Sequence, residues 1–160
     1  MAIIVEDGTI VTGANSYVSE AELTAYATAR GVTLTGGTEQ LLIQSMDYIE
    51  AQNYQGTKYT QGQPLQWPRS GVYIDGYYVD TSTIPAELKA AEMATAVAID
   101  GGNNPLNVID PAVKREKVDV IEVEYQDGAM SSSYDPKIQS MLKKLLSGSG
   151  SAMNFTVTRA

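Results

Sequence analysis

Three carboxylate pairs are the first candidates for chemistry: Glu20/Glu22, Asp47/Glu50 and Glu122/Glu124. Two carboxylates within reach of each other can hold a divalent ion or divide acid and base roles. Each pair also has a plain structural use. Glu20 and Glu22 fall in the first turn of a helix, where the dipole favours acids. Glu122 and Glu124 occupy the exposed phase of a strand. Nothing in the chain completes an active site around them. There is no Cys and no His. That excludes thiolate nucleophiles, Cys- or His-ligated metals, iron–sulfur clusters and a Ser–His–Asp triad. Gly36-Gly37 and Gly101-Gly102 are not followed by the glycine spacing or the Lys-Ser/Thr of a phosphate-binding loop. The expectation is a protein that is not an enzyme and carries no cofactor and no metal.

Aromatic and arginine side chains are the other candidates. Trp67 is the only Trp, and Arg69 follows it by two residues in Trp67-Pro68-Arg69. Such a cluster anchors a local core, with Arg69 paired to an acid such as Asp47 or Glu50. It also has the composition of a protein–protein hot spot. Eight of the ten tyrosines lie between Tyr17 and Tyr78. Tyrosines can stack on the bases of a single strand, but that use needs cations beside them. The same stretch is acidic, so core and interface use is expected.

The charge pattern sharpens this. Net charge is −8 over 160 residues, with a pI near 4.4. Residues 1–57 carry seven acids against one base, Arg30. The densest basic cluster is Lys114, Arg115 and Lys117, interrupted by Glu116. Tight binding to duplex DNA needs several neutralised phosphates. An acidic surface instead repels a duplex and keeps it from sticking. The length fits one domain, and no apolar run reaches the 18 residues of a membrane span. The first seven residues lack the basic and apolar regions of a signal peptide.

The elements that position these residues have clear local signals. Ser19 and Glu22 form a capping box for a first helix that Gly31 stops. Thr38 caps a second helix to about Asn53, with Leu41, Leu42, Ser45, Tyr48, Ile49 and Gln52 on one stripe. Residues 54–66 read as loop. Val72-Tyr73-Ile74 and Tyr77-Tyr78-Val79 flank Asp75-Gly76, the signature of a type I′ hairpin. Pro85 opens an Ala-rich third helix that runs to about Asp100 and whose small faces allow close packing. Residues 117–125 read as a strand whose inside–outside parity slips at 120–121, a bulge or a change of partner. Asp135 caps a fourth helix with Pro136 at its first position. Residues 147–151 then form a Gly/Ser linker to a short apolar segment around Phe155. That segment is either an arm that adds a strand to another chain or a frayed end.

The order of these pieces resembles a known family. Ser16-Tyr17-Val18-Ser19 runs into Ala21-Glu22-Leu23-Thr24-Ala25-Tyr26, and Met46-Asp47-Tyr48-Ile49 follows on a helix. Gln63-Pro64-Leu65-Gln66-Trp67-Pro68-Arg69 comes next, then Ile84-Pro85 and the Ala-rich helix. Glu116-Lys117-Val118, Val123-Glu124-Tyr125 and Ile138-Gln139-Ser140-Met141-Leu142 complete the series. Over residues 15–147 this resembles the head–tail adaptor (connector, head completion) proteins of tailed bacteriophages. Members of that group also carry a DnaT-like single-stranded DNA-binding label.

The resemblance implies a structural subunit of the virion, made in the bacterial host cytoplasm. It implies a homo-oligomeric ring, usually dodecameric, that joins portal to tail, lines the channel for genome ejection and lets double-stranded DNA pass without tight binding. The partners are then neighbouring subunits, the portal protein and a tail or tail-completion protein, with no membrane. The alternative function is DnaT-like single-stranded DNA binding. The expected fold class is mainly α: a small four-helix bundle with a β-hairpin arm at about 70–80, one C-terminal strand and an extended C-terminal arm. Residues 1–148 form the adaptor domain and 149–160 a flexible arm. The expected interface residues are Trp67, Arg69, Tyr73, Tyr77, Tyr78, Met153, Phe155, Val157 and Arg159.

Overall fold

The helices begin where short-range chemistry tells them to. The Ser19 side chain accepts the Glu22 N–H, and the Glu22 carboxylate accepts the Ser19 N–H, so α1 (Glu20–Thr28) starts with a reciprocal cap. Its exit turns through Gly31 at φ 68°, where the Val32 N–H returns to Ala27 O. The N-cap of α2 (Thr38–Glu50) is Gly37; Thr38 is the first helical residue and gives its hydroxyl to Glu20. Asp135 caps α4 (Pro136–Leu142) by accepting the N–H groups of Lys137 and Ile138. Between these lie β1 (Thr57–Lys58), β2 (Arg69–Ser70), β3 (Tyr73–Ile74), β4 (Tyr77–Tyr78), α3 (Ala86–Asp100), β5 (Arg115–Val118) and β6 (Ile121–Glu124). The computed structural model describes residues 2–106, 115–118, 121–124 and 135–148, with backbone pairing alone for β5 and β6.

The strands form three separate antiparallel pairs: β1 with β2, β3 with β4, and β5 with β6. Gly56 at φ 65° is required beside the first pair, because a Cβ there would lie 2.1 Å from the Ser70 carbonyl oxygen. In the second pair Asp75 (φ 51°) and Gly76 (φ 86°) make the left-handed turn that the Asp-Gly dipeptide predicts. Tyr73 stands opposite Tyr78, and Ile74 opposite Tyr77.

The architecture corrects the expected four-helix bundle. The helices have 9, 13, 15 and 7 residues, and only a small cluster, Leu23, Leu41, Leu42 and Ala96 with Val18, is enclosed between α1, α2 and α3. The Ala-rich α3 touches α1, α2 and α4, while α4 packs chiefly on α3 and reaches α2 through the hydrogen bond from Gln139 to the Tyr48 hydroxyl. Much of the core comes from outside the helices: Tyr17, Tyr54, Leu65, Trp67, Val72 and Ile84 join Ile49, Leu88, Ala91, Ile138 and Leu142 in one cluster. Short helices expose too little apolar surface to fill a core, so the segments between them are drawn in. The single C-terminal strand is corrected as well. The chain reverses between Val118 and Ile121, which face each other across a two-residue connection, so the segment is a hairpin. The parity slip at 120–121 was the signal of that reversal. The C-terminal arm, with Met153, Phe155, Val157 and Arg159, lies outside the described residues.

Candidate nucleic-acid interface

The eight tyrosines between Tyr17 and Tyr78 divide evenly. Tyr17, Tyr26, Tyr48 and Tyr54 are buried, whereas Tyr59, Tyr73, Tyr77 and Tyr78 are exposed. Three of the exposed four belong to the β3–β4 hairpin. Tyr77 is the extreme case at 80% exposure. Tyr73 and Tyr78 pack edge to face, with ring centroids 5.5 Å apart at 65°. The pair holds two aromatic rings on one face of a short hairpin, a cross-strand contact that itself steadies the turn.

The fold brings a cation to this hairpin. Lys144, just past the end of α4, puts its Nζ 2.6 Å from an Asp75 carboxylate oxygen at the hairpin turn. The Asp75 hydrogen bond, followed by its charge, raises the Lys144 pKa. Lys143 is the next residue, and Lys137 begins the same helix; all three lysines are exposed. Across residues 135–148 the sole acid is Asp135, which is committed to the helix cap. Lys58, the last residue of β1, and Tyr59 are exposed, and the partner strand β2 precedes the hairpin in the chain. Aromatic faces beside cations can take bases and phosphates together. Residues 69 apart in sequence make the decisive contact, which is why the lysines were not legible as partners of the tyrosines.

Trp67 and Arg69 are elsewhere. Trp67 is fully buried, with its ring edge on to Tyr54 at 5.8 Å, and it has no surface to offer a partner. Arg69 is buried too. Its guanidinium donates to the carbonyl oxygens of Gln55 at 2.7 Å and Gly56 at 2.8 Å, and to Gln66 Oε1 at 2.8 Å. It therefore ties the ends of the 55–69 loop together. Both residues thus sit inside the chain, where an interface was expected, and of the acids expected to pair with Arg69, Glu50 acts on it through charge, while the hydrogen-bond acceptors of Arg69 are carbonyl and amide oxygens.

The acids instead serve the interior. The Tyr17 hydroxyl donates to Glu50 at 2.5 Å and accepts the Trp67 N–H at 3.1 Å. Glu50 also accepts the Gln66 N–H at 2.7 Å. Burial raises the pKa of Glu50, and burial followed by the Glu50 charge raises that of Tyr17. Glu92 on α3 is fully enclosed and its pKa is pushed up to about 8, chiefly by burial. It is therefore a neutral acid near pH 7. Ser16 Oγ lies 2.6 Å from Glu92 Oε1 and 2.7 Å from Val18 O, and it has one hydrogen to give. A protonated Glu92 resolves this by donating to Ser16, which donates onward to Val18, while Glu92 Oε2 accepts the Tyr17 N–H at 3.0 Å. The network joins α2, α3 and the chain before α1 without exposing a reactive group. Among the described residues no cluster of three or more acids is placed to hold a metal. The cleft beside α1, about 460 Å³ and lined by Thr24, Thr28, Thr33, Leu34 and Thr38 among others, has no titratable group in its walls.

The family described as "Putative DnaT-like ssDNA binding protein" matches residues 1–160. The chain belongs to this DnaT-like family. No curated protein and no solved structure matches it. Of the two functions that the phage-adaptor resemblance brought with it, the DnaT-like label is the one this match returns. In this DnaT-like chain the exposed tyrosines of the β3–β4 hairpin and the lysines of the α4 end meet at the Asp75–Lys144 contact.

Proposed function

We propose that this chain binds single-stranded DNA on the face made by the tyrosine hairpin and the lysine-bearing end of α4. The observation that carries this reading is the Lys144–Asp75 contact, which brings the lysine-bearing end of α4 to the turn of the hairpin that carries Tyr73, Tyr77 and Tyr78. Bases stack on the tyrosine rings, and phosphates meet Lys143 and Lys144. Stacking contributes about 1–3 kcal/mol per base and tolerates any sequence. The net charge of −8 works against long-range attraction, so binding is weak at physiological salt, and two lysine–phosphate contacts give it a modest salt dependence, a slope of about −1.4 in log K against log salt.

Fluorescence anisotropy with a labelled single-stranded oligonucleotide and its duplex tests this. The single strand binds better, and affinity falls linearly with the logarithm of salt. Replacing Tyr73, Tyr77 and Tyr78 by Ala weakens binding by about tenfold or more. A triple variant that binds as tightly as the natural chain overturns the reading.

A second reading has its own support. The excess of acids and the Gln63–Arg69 stretch favour a head–tail adaptor subunit, whose ring would meet a portal and a tail protein. The tyrosine hairpin would then dock on protein. No retention on single-stranded DNA at low salt, together with capture by a portal protein, selects this reading.

A further inference from the structure

The carboxylate of Asp75 sits where the phosphate of a bound strand would meet Lys144. Its Oδ2 lies 2.6 Å from Lys144 Nζ, the distance of a charge-assisted hydrogen bond. Lys144 is 52% and Asp75 61% exposed, so water and ions reach the pair from solvent. An ion pair this open is weak, and a lysine exchanges one oxygen for another by turning its own side chain. Glu87, in the first turn of α3, adds a further negative charge to the field at Lys144. Asp75 also lies on the hairpin that carries Tyr73, Tyr77 and Tyr78, so its charge repels a phosphate approaching those rings. The turn itself does not ask for an acid. Asp75 at φ 51° and Gly76 at φ 86° form a turn that Asn-Gly or Gly-Gly makes as well. The charge is therefore separable from the geometry.

We infer that Asp75 is a built-in competitor for the nucleic-acid phosphate: in the free chain its carboxylate occupies Lys144, and a single strand binds by displacing it. The inference rests on the single-strand reading of this face and adds how that face is restrained. On binding, Lys144 passes from the Asp75 carboxylate to a phosphate oxygen, with no covalent bond made or broken. The exchange gives up the ion pair and leaves Asp75 beside a like charge. Affinity is therefore lower than the same tyrosines and lysines would give without Asp75. Phosphate contact alone gains little, because Lys144 already has an anion, so stacked bases supply the difference.

Anisotropy with a labelled thymidine oligonucleotide at low salt tests it. Asp75→Asn should bind about three- to fivefold more tightly than the natural chain, the upper range for an open ion pair, and the gain should shrink as salt rises. Asp80→Asn removes one charge two residues past Tyr78, where the carboxylate accepts from Ser82, and should change affinity by less than about twofold. In a Lys144→Gln background, Asp75→Asn should gain no more than Asp80→Asn does. Trp67 emission and melting, read in parallel, report whether each variant is folded. Asp75→Gly suits the turn equally and repeats each arm with no amide to hydrolyse back to the acid. Unchanged or weaker binding by Asp75→Asn overturns the inference and makes Asp75 a support for Lys144. So does a gain no larger than that of Asp80→Asn, or one undiminished without Lys144. In each of these outcomes the strand is bound, and this inference alone fails. If neither the natural chain nor the Asp75 variants bind the strand at low salt, the single-strand reading fails and this inference with it.

Discussion

Tyrosines do opposite work in two regions of this molecule. Around Trp67, Tyr17 and Tyr54 are buried and their hydroxyls are spoken for: Tyr17 by Glu50 and the Trp67 N–H, Tyr54 by the Ile49 carbonyl at 2.8 Å. On the β3–β4 hairpin, Tyr73, Tyr77 and Tyr78 are turned to solvent. The residue type is the same, and the side of the chain that packs decides the outcome. Where loop 54–72 is drawn into the core, the phenol tip needs a designated polar partner and the ring serves stability. Where the hairpin projects, water satisfies the hydroxyl and the ring is left for a ligand. The core region should therefore respond to substitution in folding, and the hairpin region in binding.

The largest expected effect tests the core side. Trp67→Ala should cost about 3–5 kcal/mol of stability in a urea titration, since a fully buried indole leaves a cavity. A loss below about 1 kcal/mol would mean that Trp67 is not the anchor described above. Glu92 comes next, through pH. Its pKa is about 8 in the folded chain and 4.5 in the unfolded one, so the folded state holds the extra proton between those values. The stabilisation is complete below pH 4.5 and is lost as pH rises through 8. Glu92→Gln should flatten that stretch of the melting-temperature profile, a difference on the order of a few kcal/mol at the alkaline end. Superimposable profiles for the two proteins would place the pH dependence elsewhere.

Smaller effects separate the two sets of tyrosines directly. Tyr17→Phe leaves Glu50 and the Trp67 N–H short of a partner and should cost about 1–3 kcal/mol in the same urea titration. Tyr77→Ala removes a ring that touches little of the protein, and should change stability by less than about 0.5 kcal/mol. In anisotropy measurements the same variant should weaken single-strand binding several-fold, by about the worth of one stacked base. If Tyr77→Ala destabilised the fold as much as Tyr17→Phe, the division between the regions would collapse.

Much of the local structure was legible before folding. The Ser19–Glu22 box, the Gly31 exit, the Asp75-Gly76 turn and the Asp135-Pro136 start all appear where their residues call for them. The bundle was not legible correctly, because the stripes on the helices say which face is apolar and not what will cover it. Loop residues Leu65 and Trp67 do much of that covering. The hairpin tyrosines were recognisable as candidates, and the cations that make them a candidate interface were not.

Caps and turns depend on backbone angles and on hydrogen-bond groups within a few residues, so the amino-acid order alone determines them. Three things were left to the folded arrangement: which tyrosines are buried, that Glu92 is a neutral acid inside α3's packing surface, and that Lys144 meets Asp75. Each depends on which distant surfaces exclude water from each other. That is a property of the packed whole, and no local pattern encodes it.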